Sequence, residues 1–323
     1  MVRLLKNRTY PIGVDMGSDC VKMVQFGQRE EGLTLLAGGS EVRPESVEPG
    51  SANWQRWAIG AIEKIIENGK FRGKSVIAAM PANEVLIDHM KAPKIDDDKL
   101  EDVVFSEIRH KLPVNLDKVM IKYIPTENDN IMVIATEREK IDRHLAIYEK
   151  AHLAIKSIGV WPIAMANSYA KFFGTRKSDI QAIVMLLDIE TEFTNIVICR
   201  HKNPLFAYTI PMGAKHIDTD KIISKLVFEI NVCRRQFRSM YGKAQIERLI
   251  FLSDTPYGTI GDKDKYRIIA TQLEMPAQIG DCLAAVKIED PYTIGIDRSQ
   301  YQLSWVIAFG LSLTQEQMEK CRI

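Results

Sequence analysis

Two short stretches carry side chains whose types and spacing suit work on a charged ligand. GVDMGSDCVK, residues 13–22, runs an apolar segment into a turn holding Asp15, Gly17 and Ser18, and Lys22 follows seven residues after Asp15. One acid, one glycine, one hydroxyl and one amine in this order can hold the phosphates of a nucleotide, because turn N–H groups and a nearby cation bind anions. The same residues also suit an ordinary hairpin in which Asp and Ser bond the turn backbone. DIETEFT, residues 188–194, repeats the theme with Asp188 and Thr194.

Two such turns need matching supports, and the flanking sequence provides them. Residues 9–44 alternate β-rich runs with turns and predict strands near 11–15, 20–27 and 33–41. Residues 181–213 read again as strand, turn with Asp, strand, turn, strand. This internal echo predicts two similar halves, each presenting an Asp turn. In the first half Ser51 caps a helix whose Trp54, Trp57, Ala58, Ala61, Ile62, Ile65 and Ile66 share one face, and GKSVIAAMP (73–81) returns as a buried strand. The Trp54/Trp57 pair reads as core.

Residues 84–153 read as an inserted unit of order β-α-β-β-α. EVLIDHMK is its first strand. The helix 96–112 opens on Asp96, Asp97 and Asp98, which favour the positive end of the helix dipole, and Pro113 stops it. DKVMIKYI and NIMVIATE form a hairpin. A second helix, 137–153, is expected to place Ile141, Leu145, Tyr148 and His152 on one side. A strand and a small-residue helix follow at 155–174, where Ala164, Ala166 and Ala170 permit close packing. The second half continues with a long helix at 219–241, the strand ERLIFLS, the helix DKYRIIATQLEM and a closing helix containing Gly310. Arg234, Arg235 and Arg238 on the long helix suit an acidic partner or a solvated face. The whole is an α/β layer architecture.

Composition narrows the function classes. Hydrophobic residues make 46% and charged residues 26% of the chain, an ordinary globular balance, and the net charge of +1 gives no general pull toward nucleic acid or anionic lipid. Five cysteines lie far apart without a CxxC pair, which implies free thiols in a reducing compartment and no zinc site. No HExxH is present. The longest apolar run, AIVMLL at 182–187, is far below the roughly 20 residues a spanning helix needs. No signal peptide is visible; the basic start MVRLLKNRTY suits a solvated tail or contact with a membrane surface.

In order and spacing these motifs resemble the actin-like ATPase superfamily. DMGSDCVK is similar to its first phosphate loop, DIETEFT stands at the second, whose pattern is DxGxxxT, IFLSDTPYG stands at the adenosine loop, and AFGLSL at the second connecting helix. The insertion resembles the unit that replaces one lobe of actin in the cell-division protein FtsA and the type IV pilus protein PilM. MPANEVLIDHMKAP, EIRHKLPVNLDKV, VIATEREKID and GVWPIAMA are similar to the PilM family, and the likeness runs from about residue 9 to residue 314.

The resemblance implies an actin-like (ribonuclease H-like) α/β fold of two lobes with an inserted β-α-β-β-α subdomain. Residues 1–83 and 154–180 would form the first lobe, 84–153 the insertion, and 181–323 the second lobe, with its smaller unit reduced around 214–246. It implies Asp15, Gly17, Ser18, Lys22, Asp188, Thr194 and Gly310 as nucleotide-facing residues. Asp15 and Asp188 would reach a magnesium carried by the nucleotide, with no intrinsic metal and no catalytic residue. Three departures weaken this site. Glu190 replaces the glycine of the second loop, Ser253, Asp254 and Thr255 stand where a Gly-rich turn belongs, and Gly159 and Trp161 occupy positions where the family carries acids. Hydrolysis is therefore not expected, and ATP–magnesium binding is expected to be weak or absent. The alternative is a reshaped loop that turns Glu190 to solvent and still admits nucleotide.

The function implied is a cytoplasmic scaffold of a type IV pilus, or related secretion or competence, machine. Its partner would be the short cytoplasmic N-terminal peptide of a PilN-like inner-membrane protein, lying between the first lobe and the insertion near the helix 97–112 and the strand 84–91. Other platform and motor components would attach, nucleic acid would not, and the membrane would be reached through the partner at its inner face; a homo-oligomer stays open. Two rivals share the fold: an active ATPase or small-molecule kinase, and an FtsA-like membrane filament. The tail TQEQMEKCRI is too short and polar for the targeting helix of the latter.

Overall fold

The computed structural model describes residues 8–17, 19–93, 97–112, 115–217, 219–252, 260–289, 296 and 304–314, the side chains of 97–99 and 260–263 excepted. Ser18, Asp96, Pro113, the SDT segment at 253–255 and residues 315–323 lie outside it.

The first sheet grows from β1 (Thr9–Met16), β2 (Cys20–Arg29) and β3 (Gly32–Val42), an antiparallel meander rich in Val, Ile and Leu. β4 (Ser75–Met80) and β8 (Ala154–Val160) add in parallel on the far side of β1. The strand order is β14-β3-β2-β1-β4-β8, where β14 is the two-residue strand Lys287–Ile288. α1 (Ala52–Asn68) covers one face, its N-terminus capped by the Ser51 hydroxyl, which accepts the Trp54 N–H at 3.1 Å. Trp54, Ala58, Ala61, Ile62 and Ile65 are buried against Ile12, Val14, Met23 and Val76 of the sheet.

The second sheet repeats the meander. β9 (Ile183–Ile189), β10 (Thr194–Arg200) and β11 (Asn203–Ile210) are antiparallel, and β12 (Arg248–Leu252) and β13 (Ala277–Gly280) follow in parallel, in the order β11-β10-β9-β12-β13. α6 (Asp220–Tyr241) and α7 (Ile260–Gln272) cover its outer face, α6 through Ile223, Leu226, Ile230, Cys233 and Phe237.

Between the two sheets run two helices, each following one sheet and lying on the other. α4 (Trp161–Phe172) leaves β8 and packs on β10 and β11, while α8 (Val306–Ser312) packs on β1, β2 and β4. The Ser312 hydroxyl donates to the Pro11 carbonyl at 2.7 Å and accepts the Phe26 N–H at 3.3 Å, so the last described helix is bonded into the first two strands. α4 and α8 cross at Gly310, where a Cβ would overlap the Ala164 carbonyl; only glycine allows this approach. Gly310, expected on the nucleotide, is thus placed at the crossing of the two helices.

The inserted residues form a three-stranded sheet, β5 (Leu86–Lys91), β7 (Asn130–Glu137) and β6 (Val119–Pro125), with β7 in the middle. α2 (Asp97–Ile108) covers it with Val104 and Ile108 over Ile131 and Val133. This sheet also holds the second lobe. The His89 ring stacks on Phe206 with centroids 4.3 Å apart, and its Nε2 accepts the Ala207 N–H at 3.1 Å. Burial lowers the His89 pKa to about 4, which keeps the ring neutral for that acceptor role. Tyr241 bonds Thr126 at 2.7 Å, and Arg200 pairs with Glu127 at 2.8 Å.

Two observations differ from expectation. In α3 (Arg138–Lys150) the inward residues are Ile141, His144, Ile147 and Tyr148; Leu145 is 37% exposed, and His152 lies past the helix end with φ +57°. The reason is a polar cluster. Glu84 takes Arg143 at 2.6 Å and His144 at 3.1 Å, and the His144 ring meets Trp54 edge-on, which turns His144 in and its neighbour Leu145 out. The second is β14. The chain leaves the second sheet after β13 and adds two residues beside β3, where Glu289 pairs with both Arg29 and Arg72 at 3.0 Å. This strap ties the two sheets together at their ends.

Candidate functional site

The two expected turns come together at the base of the cleft between the sheets. Each is closed by the same backbone bond: Gly17 N–H donates to the Cys20 carbonyl and Glu190 N–H to the Phe193 carbonyl, both at 2.9 Å. Asp15 and Asp188 precede these bonds by two residues, so Glu190 is the counterpart of Gly17. In register, Asp15 faces Lys22 across β1 and β2, and Asp188 faces Asn195 across β9 and β10. Asn195 escapes a reading that follows motif letters; hairpin pairing of 188–195 is the signal that finds it.

The first hairpin is electrostatically closed. Lys22 Nζ lies 2.8 Å from Asp15 Oδ2 and donates to the Ser304 carbonyl at 2.6 Å, with the lysine 4% exposed. Burial alone would lower the lysine pKa, but Asp15, with help from Cys20 and Glu190, holds it well above the ordinary value. Burial pushes the Cys20 thiol up to about 12, so it is no nucleophile at neutral pH.

The second hairpin has no cation opposite its aspartate, because Asn195 stands where the first has Lys22. Burial pushes Asp188 up to about 6 against the pull of Lys22 and the Ser304 hydroxyl. Glu190 is pushed up to about 8, first by burial and then by Asp188, with Lys22 opposing. Its carboxylate accepts from Asn195 Nδ2 at 3.2 Å and lines the cleft beside Asp15, Gly17 and Trp161. The backbone pins it there, since Ala214 N–H donates to the Glu190 carbonyl at 2.7 Å and Lys215 N–H to the Thr191 carbonyl at 3.1 Å. Gly213 makes this possible, as a Cβ there would overlap the Glu190 carbonyl and lie 2.5 Å from the Phe193 nitrogen. The Thr194 hydroxyl donates to the Met212 carbonyl at 2.7 Å, inside the hairpin.

The space left is small. The cavity bounded by Asp15, Gly17, Met80, Pro81, Trp161, Glu190, Phe193 and Ile307 measures about 10 Å³, room for about one water. The buried Trp161 Nε1 has no hydrogen-bond partner among the described residues. Among the described residues no group of three or more His, Cys, Asp or Glu is placed to hold a metal ion, and no helix is long and apolar enough to cross a membrane.

A family model for the type IV pilus assembly protein PilM matches residues 13–235. The chain belongs to the PilM family. No curated protein matches its sequence at a significant level. Among solved structures, a chain of the PilM–PilN type IV pilus biogenesis complex superposes with a TM-score of 0.74 at 18% identity, over 94% of this chain and 98% of that one. The cytoplasmic domain of EpsL, an inner-membrane component of the type II secretion system of Vibrio cholerae, superposes with a TM-score of 0.51 at 9% identity, over 82% and 94%. The fold is the two-lobed actin-like fold with an inserted three-stranded sheet.

Proposed function

We propose that this PilM family member is a cytoplasmic scaffold of a type IV pilus machine, held at the inner face of the membrane by the N-terminal peptide of a PilN-like inner-membrane protein. The observation that carries the adaptor reading is Glu190, a carboxylate turned into the cleft where the first hairpin has Gly17. Its side chain occupies the turn that the first hairpin leaves bare, and the cavity it lines among the described residues measures about 10 Å³, where small-molecule sites measure about 300–1,000 Å³. The residues present therefore do not fit ATP–magnesium, and no chemical step is assigned to the cleft. Likeness in fold to a chain of the PilM–PilN complex supports the choice of partner.

The seat we assign to the peptide lies between the first lobe and the inserted unit, beside β5 and α2, where an extended chain would be held by main-chain bonds and side-chain pockets. Isothermal titration of the N-terminal peptide of the PilN-like protein against a scrambled control tests this; equal heats from both peptides would refute it. The rival, an ATPase or small-molecule kinase, draws on the intact Asp15–Lys22 pair. Micromolar ATP–magnesium binding that disappears in Lys22→Ala would establish the rival. On the scaffold reading the parent shows no such binding, and Glu190→Gly gains measurable affinity.

A further inference from the structure

The three arginines of α6 do not act as one group. Arg235 lies over the exposed Phe228 ring, 5.8 Å from its centroid. Arg234 and Arg238, about one turn apart, line a hollow of about 610 Å³ together with Lys243 from the following loop. Phe237, Ala244 and Ile246 supply its apolar wall, and Gly242 and Gln245 complete it. No acid lines it, and none of the three cations forms an ion pair among the described residues.

From this geometry we propose that the hollow at the C-terminal end of α6 is a binding site for a phosphate-bearing anion. Arg234 is built into place, its guanidinium donating to Asn231 Oδ1 at 2.8 Å and to the Leu273 carbonyl at 3.0 Å. Burial and the charge of Arg238 lower its pKa, while Glu274 pulls the other way. Cations at a helix C-terminus are favourable without any ligand, which accounts for Arg238 and Lys243. It does not account for Arg234, fixed a turn earlier beside a like charge. Guanidinium forks match phosphate oxygens in pairs. The volume falls in the range of small-molecule sites and exceeds that of a lone phosphate, so a pyrophosphate or a phosphodiester headgroup fits better. The site is separate from the cleft. β12 begins beside the start of β9, and the Asp188 turn lies at the other end of β9.

The test uses the full chain without magnesium: titration calorimetry with pyrophosphate, and co-sedimentation with phosphatidylglycerol vesicles against phosphatidylcholine vesicles. The expected result is binding of one or both phosphate probes, weakened by salt and about tenfold weaker in each of Arg238→Ala and Lys243→Ala. Heat with pyrophosphate assigns the site to a soluble ligand; vesicle binding without it assigns the site to a lipid headgroup. Arg235→Ala retains binding, and Arg238→Lys, which keeps the charge but loses the guanidinium fork, falls between the parent and Arg238→Ala. Arg238 and Lys243 are exposed, so both variants are expected to keep the parent unfolding midpoint. The proposal is overturned if neither phosphate probe binds, or if binding ignores Arg238→Ala and Lys243→Ala. Binding of an acidic peptide with both phosphate probes silent overturns it as well.

Discussion

The two Asp hairpins share a backbone and differ in charge. Both close with a 2.9 Å bond two residues after the aspartate. Across the strand the first has Lys22, within 2.8 Å of Asp15, and the second has Asn195, whose Nδ2 donates to Glu190. One side is a neutralised buried pair. The other holds two carboxyls that burial keeps near protonation. Repetition of a fold element therefore carries over its strand order and turn geometry but not its electrostatics, which two side-chain positions reset.

The contrast can be broken most strongly at Lys22. Lys22→Met leaves Asp15 buried and unpaired and should lower urea-unfolding stability by about 3–5 kcal/mol, with Asp15→Asn in the same chain restoring much of it. No such rescue would mean the pair is not what holds the first hairpin. Next comes Gly213→Val, which drives a side chain into the Glu190 and Thr191 carbonyls and should cost about 2–3 kcal/mol. A neutral result would show the second hairpin free to move.

The pH response of Glu190 sharpens the comparison further. Its folded-state pKa of about 8 lies above the ordinary 4.5, so between those values the folded protein keeps a proton that the unfolded chain has released. Stability from this group is fully present at acid pH and is lost as pH rises from about 5 to about 8. Unfolding midpoints of the parent and Glu190→Gln, compared from pH 5 to 9, should separate toward alkaline pH by about 1–2 kcal/mol in favour of Gln after allowing for solvent screening. A separation constant with pH would put the carboxyl outside the cleft. The smallest effect belongs to Gly17→Ala. Its Cβ would meet only the Cys20 carbonyl at 3.5 Å, ordinary contact, so thermal melts should shift by less than about 0.5 kcal/mol.

What the sequence revealed follows the range of the interactions involved. The two meanders, the Ser51 cap and the Asp turns rest on local alternation and turn chemistry, and they are found where the pattern places them. The inward turn of Glu190 follows from its spacing to Asp188. Leu145 was expected inside because spacing alone cannot know that Glu84, 60 residues before His144, draws the histidine in. The close approach of Gly310 to Ala164 is not legible in the sequence because it depends on two helices distant in sequence. The strand at 287–288 has no pattern of its own and exists because β3 offers it an edge.

The exchange of α4 and α8 between sheets has a consequence for how the protein is made. β1 and β2 leave the ribosome well before the helix that covers one of their faces, which lies 286 to 301 residues later and is bonded to them through Ser312. The face of these strands that α8 covers must wait, exposed, until that helix has been synthesised, a route that is slow and prone to aggregation. Ribosome-bound intermediates halted before α8 should therefore be protease-sensitive throughout their N-terminal strands and lean on chaperones until release.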